Sequence, residues 1–259
     1  MLVAVAAHAD DAELNAGGFM AKWRARGGSV HVVMMTNNCA GLVIPPGKPE
    51  SERRWLSPHA MTALRMREQN ASARRLGAKV HYMNYCQRQY WNGREVVWIG
   101  HGPSPKPPKD VAGFIQILVA MNQAPEIEKV SKLLAGLKPD LVLTQAPFDV
   151  DPEHHAVSVL AWQAFSRTRA LKGVPLRYWT PSTASPGGTF DPQYDHIEDI
   201  SDYYDEKLAL CRCHASQMTV RRLEIVATRA AYWGRKIKVK YAEPFRRAHW
   251  RTGGVRSLA

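Results

Sequence analysis

The chain has 259 residues and 45% hydrophobic content, enough apolar surface for one large α/β core and too much for a chain that is mainly disordered. Lys+Arg 35 against Asp+Glu 23 leaves a formal charge of +12, which suits anionic partners or substrates and says nothing of fold. The four cysteines, Cys39, Cys86, Cys211 and Cys213, fit neither a disulfide framework nor the C-x-x-C pairs of structural zinc sites, so a reducing cytoplasm is expected.

The opening run Met1–Ala7 is too short for a secretory signal and lacks a basic flank. No apolar run approaches the roughly 18 to 20 residues of a bilayer span, so a protein that does not cross a membrane is expected. Strand-like and helix-like segments then alternate. Leu2–Ala7 reads as a buried parallel strand and Ala12–Arg26 as a helix ended by Gly27 and Gly28. Ser29–Thr36 is a second strand, Pro58–Leu76 a helix closed by Gly77, and Lys79–Asn84 a third strand. Asp140–Gln145 is the fourth, with a helix over His154–Arg169 behind it. Arg177–Thr180 and His196–Ile200 read as later strands, and Ile200–Ser216 and Val220–Arg235 as helices. This rhythm predicts a Rossmann-like, doubly wound α/β fold: a mostly parallel sheet with helices on both faces. Residues 37–58 and 85–113, rich in Gly, Pro and Asn or in aromatics, read as loop insertions within a single domain over 1–259.

Open α/β sheets bind ligands beyond the carboxyl ends of their strands. The loop after the first strand carries His8, Asp10, Asp11 and Glu13; the loop after the fourth carries Asp149, Asp151, Glu153, His154 and His155. If the two strands are neighbours, the loops share one crevice. Two imidazoles and a carboxylate with one open position form a common ligand set of catalytic zinc, and His8, Asp11 and His154 could supply it. Asp10 would stay free to take a proton from a metal-activated water. The competing reading makes Asp10 or Asp11 the N-cap of the following helix.

His8-Ala9-Asp10-Asp11-Ala12-Glu13, followed by Gly17-Gly18, resembles the first motif of the PIG-L/LmbE-like zinc-dependent N-deacetylases, and Asp151-Pro152-Glu153-His154 resembles their second. Arg65 with Glu68, Lys207, His214 to Gln217, and Tyr241 to Phe245 extend the likeness almost end to end. The resemblance implies that His8, Asp11 and His154 hold Zn2+ and that Asp10 is the general base. It implies hydrolysis of an N-acetyl group from an amino sugar.

Three positions depart from the family pattern. Ala9 stands for a proline, which loosens the turn and removes no ligand. Glu153 stands for an Asp, with the same charge on a longer arm. Asp151 stands where the family usually has a His thought to polarise the carbonyl or protonate the leaving amine. An ionised carboxylate there repels developing negative charge, although a neutral one could act as a local acid. Asp151 is thus a catalytic candidate beside Asp10, with turn formation before Pro152 as its structural alternative. Two alternative functions follow: a zinc amidase acting on a non-sugar or thiol-conjugate amide, and a metal- or glycan-binding relative impaired by Asp151.

Arg65, Tyr90 and Trp91 are the candidate substrate contacts: the rings for stacking on a sugar face, Arg65 for a hydroxyl or anion. Their structural alternatives are loop core for the rings and pairing with Glu68 for Arg65. Residues 219–259 contain eleven Lys/Arg against Glu224 and Glu243, hence +9 of the +12. This is a solvated basic face or an edge for an anionic glycoconjugate. No zinc-finger or RNP-type pattern points to nucleic acid. A homo-oligomer is compatible with the sequence.

Overall fold

Leu2–Ala6 forms β1, and all five residues are buried, as an all-apolar run must be where helices cover both faces of a parallel sheet. A computed structural model describes residues 1–45, 47–99, 115–179 and 194–248. The further strands are β2 (Val30–Thr36), β3 (Lys79–Tyr85), β4 (Gln89–Trp91), β5 (Val96–Trp98), β6 (Leu141–Thr144), β7 (Leu176–Trp179), β8 (His196–Asp199) and β9 (Ala242–Arg247). Seven of them form one sheet in the order β3-β2-β1-β6-β7-β9-β8, and β4 and β5 form a separate antiparallel hairpin. β1, β2, β3, β6 and β7 run parallel, and β9 and β8 close the edge antiparallel.

The helices are α1 (Asp11–Ala25), α2 (Pro58–Leu76), the one-turn α3 (Ile117–Ala120), α4 (Ala124–Leu137), α5 (Pro152–Arg167), α6 (Tyr204–Arg212) and α7 (Val220–Lys236). Strand alternation sends Val3 and Val5 into a layer with Val130 and Leu134 of α4 and Leu160 of α5. It sends Leu2, Ala4 and Ala6 into an opposite layer with Met20 of α1, Leu210 of α6 and Ala230 of α7. Helices therefore cover both faces, as the β-then-α rhythm predicts. No described helix is long and apolar enough to cross a membrane.

Gly17 and Gly18 let α1 and the start of the α6 region approach closely. A Cβ at Gly18 would lie 2.6 Å from Ile200 Cδ1, and one at Gly17 3.2 Å from Lys207 Cγ. Lys207 pairs with Glu243 of β9, whose carboxylate accepts the Gly18 and Phe19 amides at 3.1 and 2.8 Å. The distant Lys207 and Glu243 matches thus fix α1 against the sheet.

Several expected elements shift. α5 begins at Pro152 because Asp151 and Pro152 form a cap and first turn, two residues ahead of the expected His154. The expected helix over Ile200–Ser216 is a 3-10 turn, Ser201–Tyr203, followed by α6 ending at Arg212. The loop expected over 85–113 contains the β4–β5 hairpin; residues 100–113, Thr180 and 249–259 lie outside the described residues. Unanticipated are α4 and β9. β9 contains Pro244, which pairs with Ile197 of β8 but lies one residue beyond Phe245, the last partner of β7. Prolines in sheets are found at edges and strand ends, and Pro244 stands beyond the last described β7 pair, next to the edge strand β8.

β1 and β6 are neighbours in parallel register, Leu2 opposite Leu141 and Val5 opposite Thr144. The chain winds from β1 toward β3 on one side and from β6 toward β7 on the other. Between β1 and β6 lies the switch point at which such sheets open a crevice.

Candidate metal centre and active-site cleft

The β1 loop holds its residues by backbone contacts rather than a proline. Ala9 donates its amide to Asn38 Oδ1 at 2.8 Å, and Thr36 Oγ1 donates to the Ala7 carbonyl at 2.7 Å. Asp10 occupies the N-cap position of α1 with φ 103° and no capping hydrogen bond from its side chain. Such a backbone costs a non-glycine residue about 1–3 kcal/mol and recurs where a side chain is held for function. The capping alternative is not realised. Asp10 lines a cleft of about 400 Å³ with His8, Asp11, Arg65, Asp151, Glu153 and His154.

His8 Nδ1 lies 3.1 Å from His154 Nε2 and 3.7 Å from Asp11 Oδ2. His154 Nε2 lies 3.4 Å from the same oxygen. Ligand atoms about 2.1 Å from one tetrahedral ion stand roughly 3.4 Å apart, so this triangle fits a divalent metal with one position open. These three residues form the metal-competent group among the described residues. Each histidine also carries a carboxylate on its second ring nitrogen: Glu153 Oε2 at 2.5 Å from His8 Nε2 and Asp149 Oδ2 at 2.9 Å from His154 Nδ1. Carboxylate–histidine pairs of this kind fix tautomer and ring orientation at metal sites. Gln145, at the end of β6, donates to Asp11 Oδ2 at 2.9 Å.

The electrostatics suit ion binding. Burial pulls the two imidazole pKa values down, but the hydrogen bond and charge of Glu153 at His8, and the charges of Asp11 and Asp149 at His154, more than reverse this. Burial raises the carboxyl of Glu153, yet its bonds to His8, the Arg88 amide and Gln87 bring it down to about 2. Asp11 is likewise held below the usual carboxylate range by the two histidines against the effect of burial. The pocket therefore concentrates negative charge around two imidazole nitrogens.

A family model described as PIG-L, GlcNAc-PI de-N-acetylase, matches residues 3–165, which include both ligand-bearing loops. The chain belongs to the PIG-L family. A 1D-myo-inositol 2-acetamido-2-deoxy-alpha-D-glucopyranoside deacetylase from Mycobacterium sp. (strain KMS) is 26% identical over 85% of this chain and 74% of that protein. The N,N'-diacetylchitobiose deacetylase structure from Pyrococcus horikoshii superposes with TM-score 0.67 at 22% identity, covering 95% of this chain and 83% of that one. GalB of Pseudomonas putida KT2440, a 4-carboxy-2-hydroxymuconate hydratase, gives the same TM-score, 0.67, at 19% identity over 96% of each chain. At these identities the structural likenesses establish the fold alone.

Within this PIG-L site, Arg65 is buried in the cleft wall. It donates to the Ala9 carbonyl and lies 3.3 Å from Asp10 Oδ2 and 3.2 Å from Glu68 Oε2. It thus both pairs with Glu68 and stands at Asp10. Asp151 Oδ1 accepts the Glu153 amide at 2.8 Å as the N-cap of α5, while the residue still lines the cleft.

Tyr90 and Trp91, expected at the substrate, are placed elsewhere. Tyr90 is buried in a small cluster with Cys39, Cys86 and Ile99, and Trp91 stacks on Trp55 with centroids 6.2 Å apart. Neither is among the residues lining the cleft. Period-2 alternation along the short β4 turns Tyr90 inward, and the stack on Trp55 holds Trp91. His214 is fully buried against Glu13 at 3.5 Å, whereas Gln217 lines the cleft. Sequence reasoning missed Gln145 and the cleft-lining Asn38, Gln87, Arg88 and Arg222. The position of Gln145 at a strand end beside the metal loop was the available signal.

Proposed function

We propose that the protein is a zinc-dependent hydrolase that removes an N-acetyl group from an amino sugar. One observation carries this reading: a triangle of His8, Asp11 and His154 that fits an ion stands beside a carboxylate, Asp10, that the triangle does not use. A bound Zn2+ would supply Lewis-acid polarisation of the amide carbonyl and a water acidified to a pKa of roughly 7. Two imidazoles and one carboxylate suit zinc and its first-row neighbours.

Asp10 accepts the proton of the attacking water. Its Oδ2 is buried and takes no hydrogen bond within the protein, although Arg65 and Arg222 lie 3.3 and 3.5 Å away. The oxygen thus keeps a lone pair for the proton, with two guanidiniums near enough to attract the carboxylate without hydrogen-bonding this oxygen. Once protonated, Asp10 is placed to return the proton to the departing amine. Asp151, with one oxygen committed to its cap, is the second candidate for that proton. Gln145, Asp149 and Glu153 orient the ligands. The four free cysteines support a reducing, cytoplasmic setting.

The test is acetate release from N-acetylglucosamine derivatives by zinc-loaded protein, with chelation and zinc restoration as controls, run beside non-sugar amides. Activity on the sugars, lost with the metal and regained with it, supports the reading. Turnover of the non-sugar amides alone moves the protein to the amidase alternative. The impaired-relative alternative has one supporting observation, the use of Asp151 as a helix cap; acetate release that appears only in Asp151→His would establish it.

A further inference from the structure

Cys39 and Cys86 are 47 residues apart in the chain, yet their sulfurs stand 4.0 Å from one another, in the small cluster that also holds Tyr90 and Ile99. Both thiols are free and buried, and the chemistry proposed above uses neither. Cys39 follows the end of β2 and Cys86 the end of β3, strands that are neighbours at Thr36 and Tyr85. The Asn37 amide donates to the Tyr85 carbonyl at 2.8 Å and carries that pairing on toward the two sulfurs. A single buried thiol behaves as a small hydrophobe. Two that face each other from separate segments can also bond those segments together.

The same segments hold the metal centre. Asn38, next to Cys39, accepts the Ala9 amide beside His8 at 2.8 Å. Gln87, next to Cys86, accepts the Ala40 amide at 2.8 Å and donates to Glu153 Oε2 at 3.0 Å, the oxygen that sits against His8 Nε2. The Arg88 amide donates to the other Glu153 oxygen at 2.6 Å. His8 is thus steadied from two sides by residues one or two positions from a cysteine. A disulfide needs its sulfurs about 2.05 Å apart, so bonding draws the two segments together by roughly 2 Å. Half of that movement takes the 3.0 Å bond from Gln87 out of hydrogen-bond range.

The pair is within reach of a small oxidant. Ala40, Gly41, Gln87 and Gln89 line the cleft, which places the sulfurs one residue behind its wall. The contact with the Cys86 thiol, together with a backbone hydrogen bond from Gln87, brings the Cys39 pKa below the ordinary thiol value against the effect of burial. The same contact and burial push the Cys86 thiol up. Cys39 is therefore the sulfur that reacts first, as a thiolate.

We propose that Cys39 and Cys86 form a redox switch on the metal centre: a hydroperoxide joins them as a disulfide, and the bridge loosens His8 and with it the zinc. The Cys39 thiolate attacks one peroxide oxygen, the O–O bond breaks, and the other oxygen takes up the proton Cys39 released and leaves as water. Cys39 is then a sulfenic acid. The Cys86 sulfur attacks the Cys39 sulfur, the S–O bond breaks, and the hydroxyl departs with the Cys86 proton as a second water. The two thiols lose two electrons and the peroxide gains them. A dithiol reductant reverses the bond by exchange. The inference rests on the metal centre of the hydrolase proposed above and on no property of its substrate.

The zinc-loaded protein is treated with hydrogen peroxide, the remaining thiols are alkylated and the peptides are mass-mapped. A peptide pair joined through Cys39 and Cys86, two hydrogens lighter than its parts, is expected, and dithiothreitol should remove it. Competition with a chelator should show zinc held about 10–100-fold more weakly in the bridged protein, the loss that follows when a carboxylate–histidine pair is disturbed. Dithiothreitol should restore the affinity. Cys39→Ala and Cys86→Ala should form no bridge and lose the reversible zinc response, while Cys213→Ser should respond as the parent does. No joined peptide under peroxide that oxidises the half-buried Cys213, or a joined peptide with unchanged zinc affinity, overturns the switch. Both readouts are taken on the parent protein, so they decide the matter even if a variant fails to fold. Acetate release is followed alongside. Its absence with every sugar, in a protein whose zinc affinity responds to the bridge, removes the deacetylase reading and leaves the switch; acetate release with zinc affinity indifferent to the bridge does the reverse.

Discussion

Glu153 and His8 are 145 residues apart in the chain, yet the Glu153 carboxylate sits 2.5 Å from His8 Nε2, the ring nitrogen opposite the one that faces His154. The contact ties α5 to the loop after β1 and aims His8 Nδ1 at the metal triangle. Carboxylates in this position add about 10–100-fold to metal affinity. Glu153→Gln, which keeps the side-chain shape and the acceptor for the Arg88 amide, is expected to weaken zinc by that factor in a competition titration with a chelator. Unchanged affinity would show that the contact positions nothing.

Asp10→Asn preserves size and leaves the ligand triangle complete. Zinc stoichiometry should match the parent, and kcat should fall by about 10²–10⁴, the usual contribution of a positioned general base. The paired readouts, metal content and acetate release, separate a lost base from a lost ion.

Asp151 serves two purposes, and two substitutions separate them. Asp151→Ala removes the cap on the Glu153 amide and should cost about 1 kcal/mol of stability; Asp151→Ser keeps a capping oxygen and should cost little. If the second carboxylate oxygen handles the amine proton, kcat falls about tenfold or more in both variants. Full activity in the serine variant would reduce Asp151 to a cap.

The edge strand gives a test independent of the metal. Burial raises the Glu198 carboxyl, but bonds to His196 and Lys22 outweigh it and bring the pKa from 4.5 to about 2. A depressed carboxyl contributes stability that is complete above its unfolded value and is lost as pH falls through the folded one. Acid unfolding followed by circular dichroism should therefore steepen between pH 4.5 and about 2. Glu198→Gln should flatten that window and leave the curve near pH 7 with the same slope.

Much of this was legible in the sequence because the chemistry is local. β1 and β6 are apolar runs followed at once by polar loops, so His8, Asp11 and His154 could be named without coordinates, and the β1–β6 pairing brings them together. α4 was equally legible and went unread: Ile127, Val130, Ser131 and Leu134 are its buried stripe, a plain 3.6-residue period. β9 was hidden by Pro244, a residue that argues against a strand when only the sequence is read. Tyr90 and Trp91 misled because ring chemistry suits sugars as well as it suits a loop core, and only packing separates the two. Arg222 could not be found from spacing at all, because its neighbour Asp10 lies on α1's cap, more than two hundred residues away.

In the proposed enzyme His8 Nδ1, Asp11 Oδ2 and His154 Nε2 grip one divalent ion. Anomalous scattering at the zinc edge, from crystals of zinc-loaded protein, measures this directly. A single strong peak about 2.0–2.2 Å from all three atoms is the expected result. Acetate-releasing protein whose crystals show no peak in that triangle, or a peak elsewhere, would contradict it.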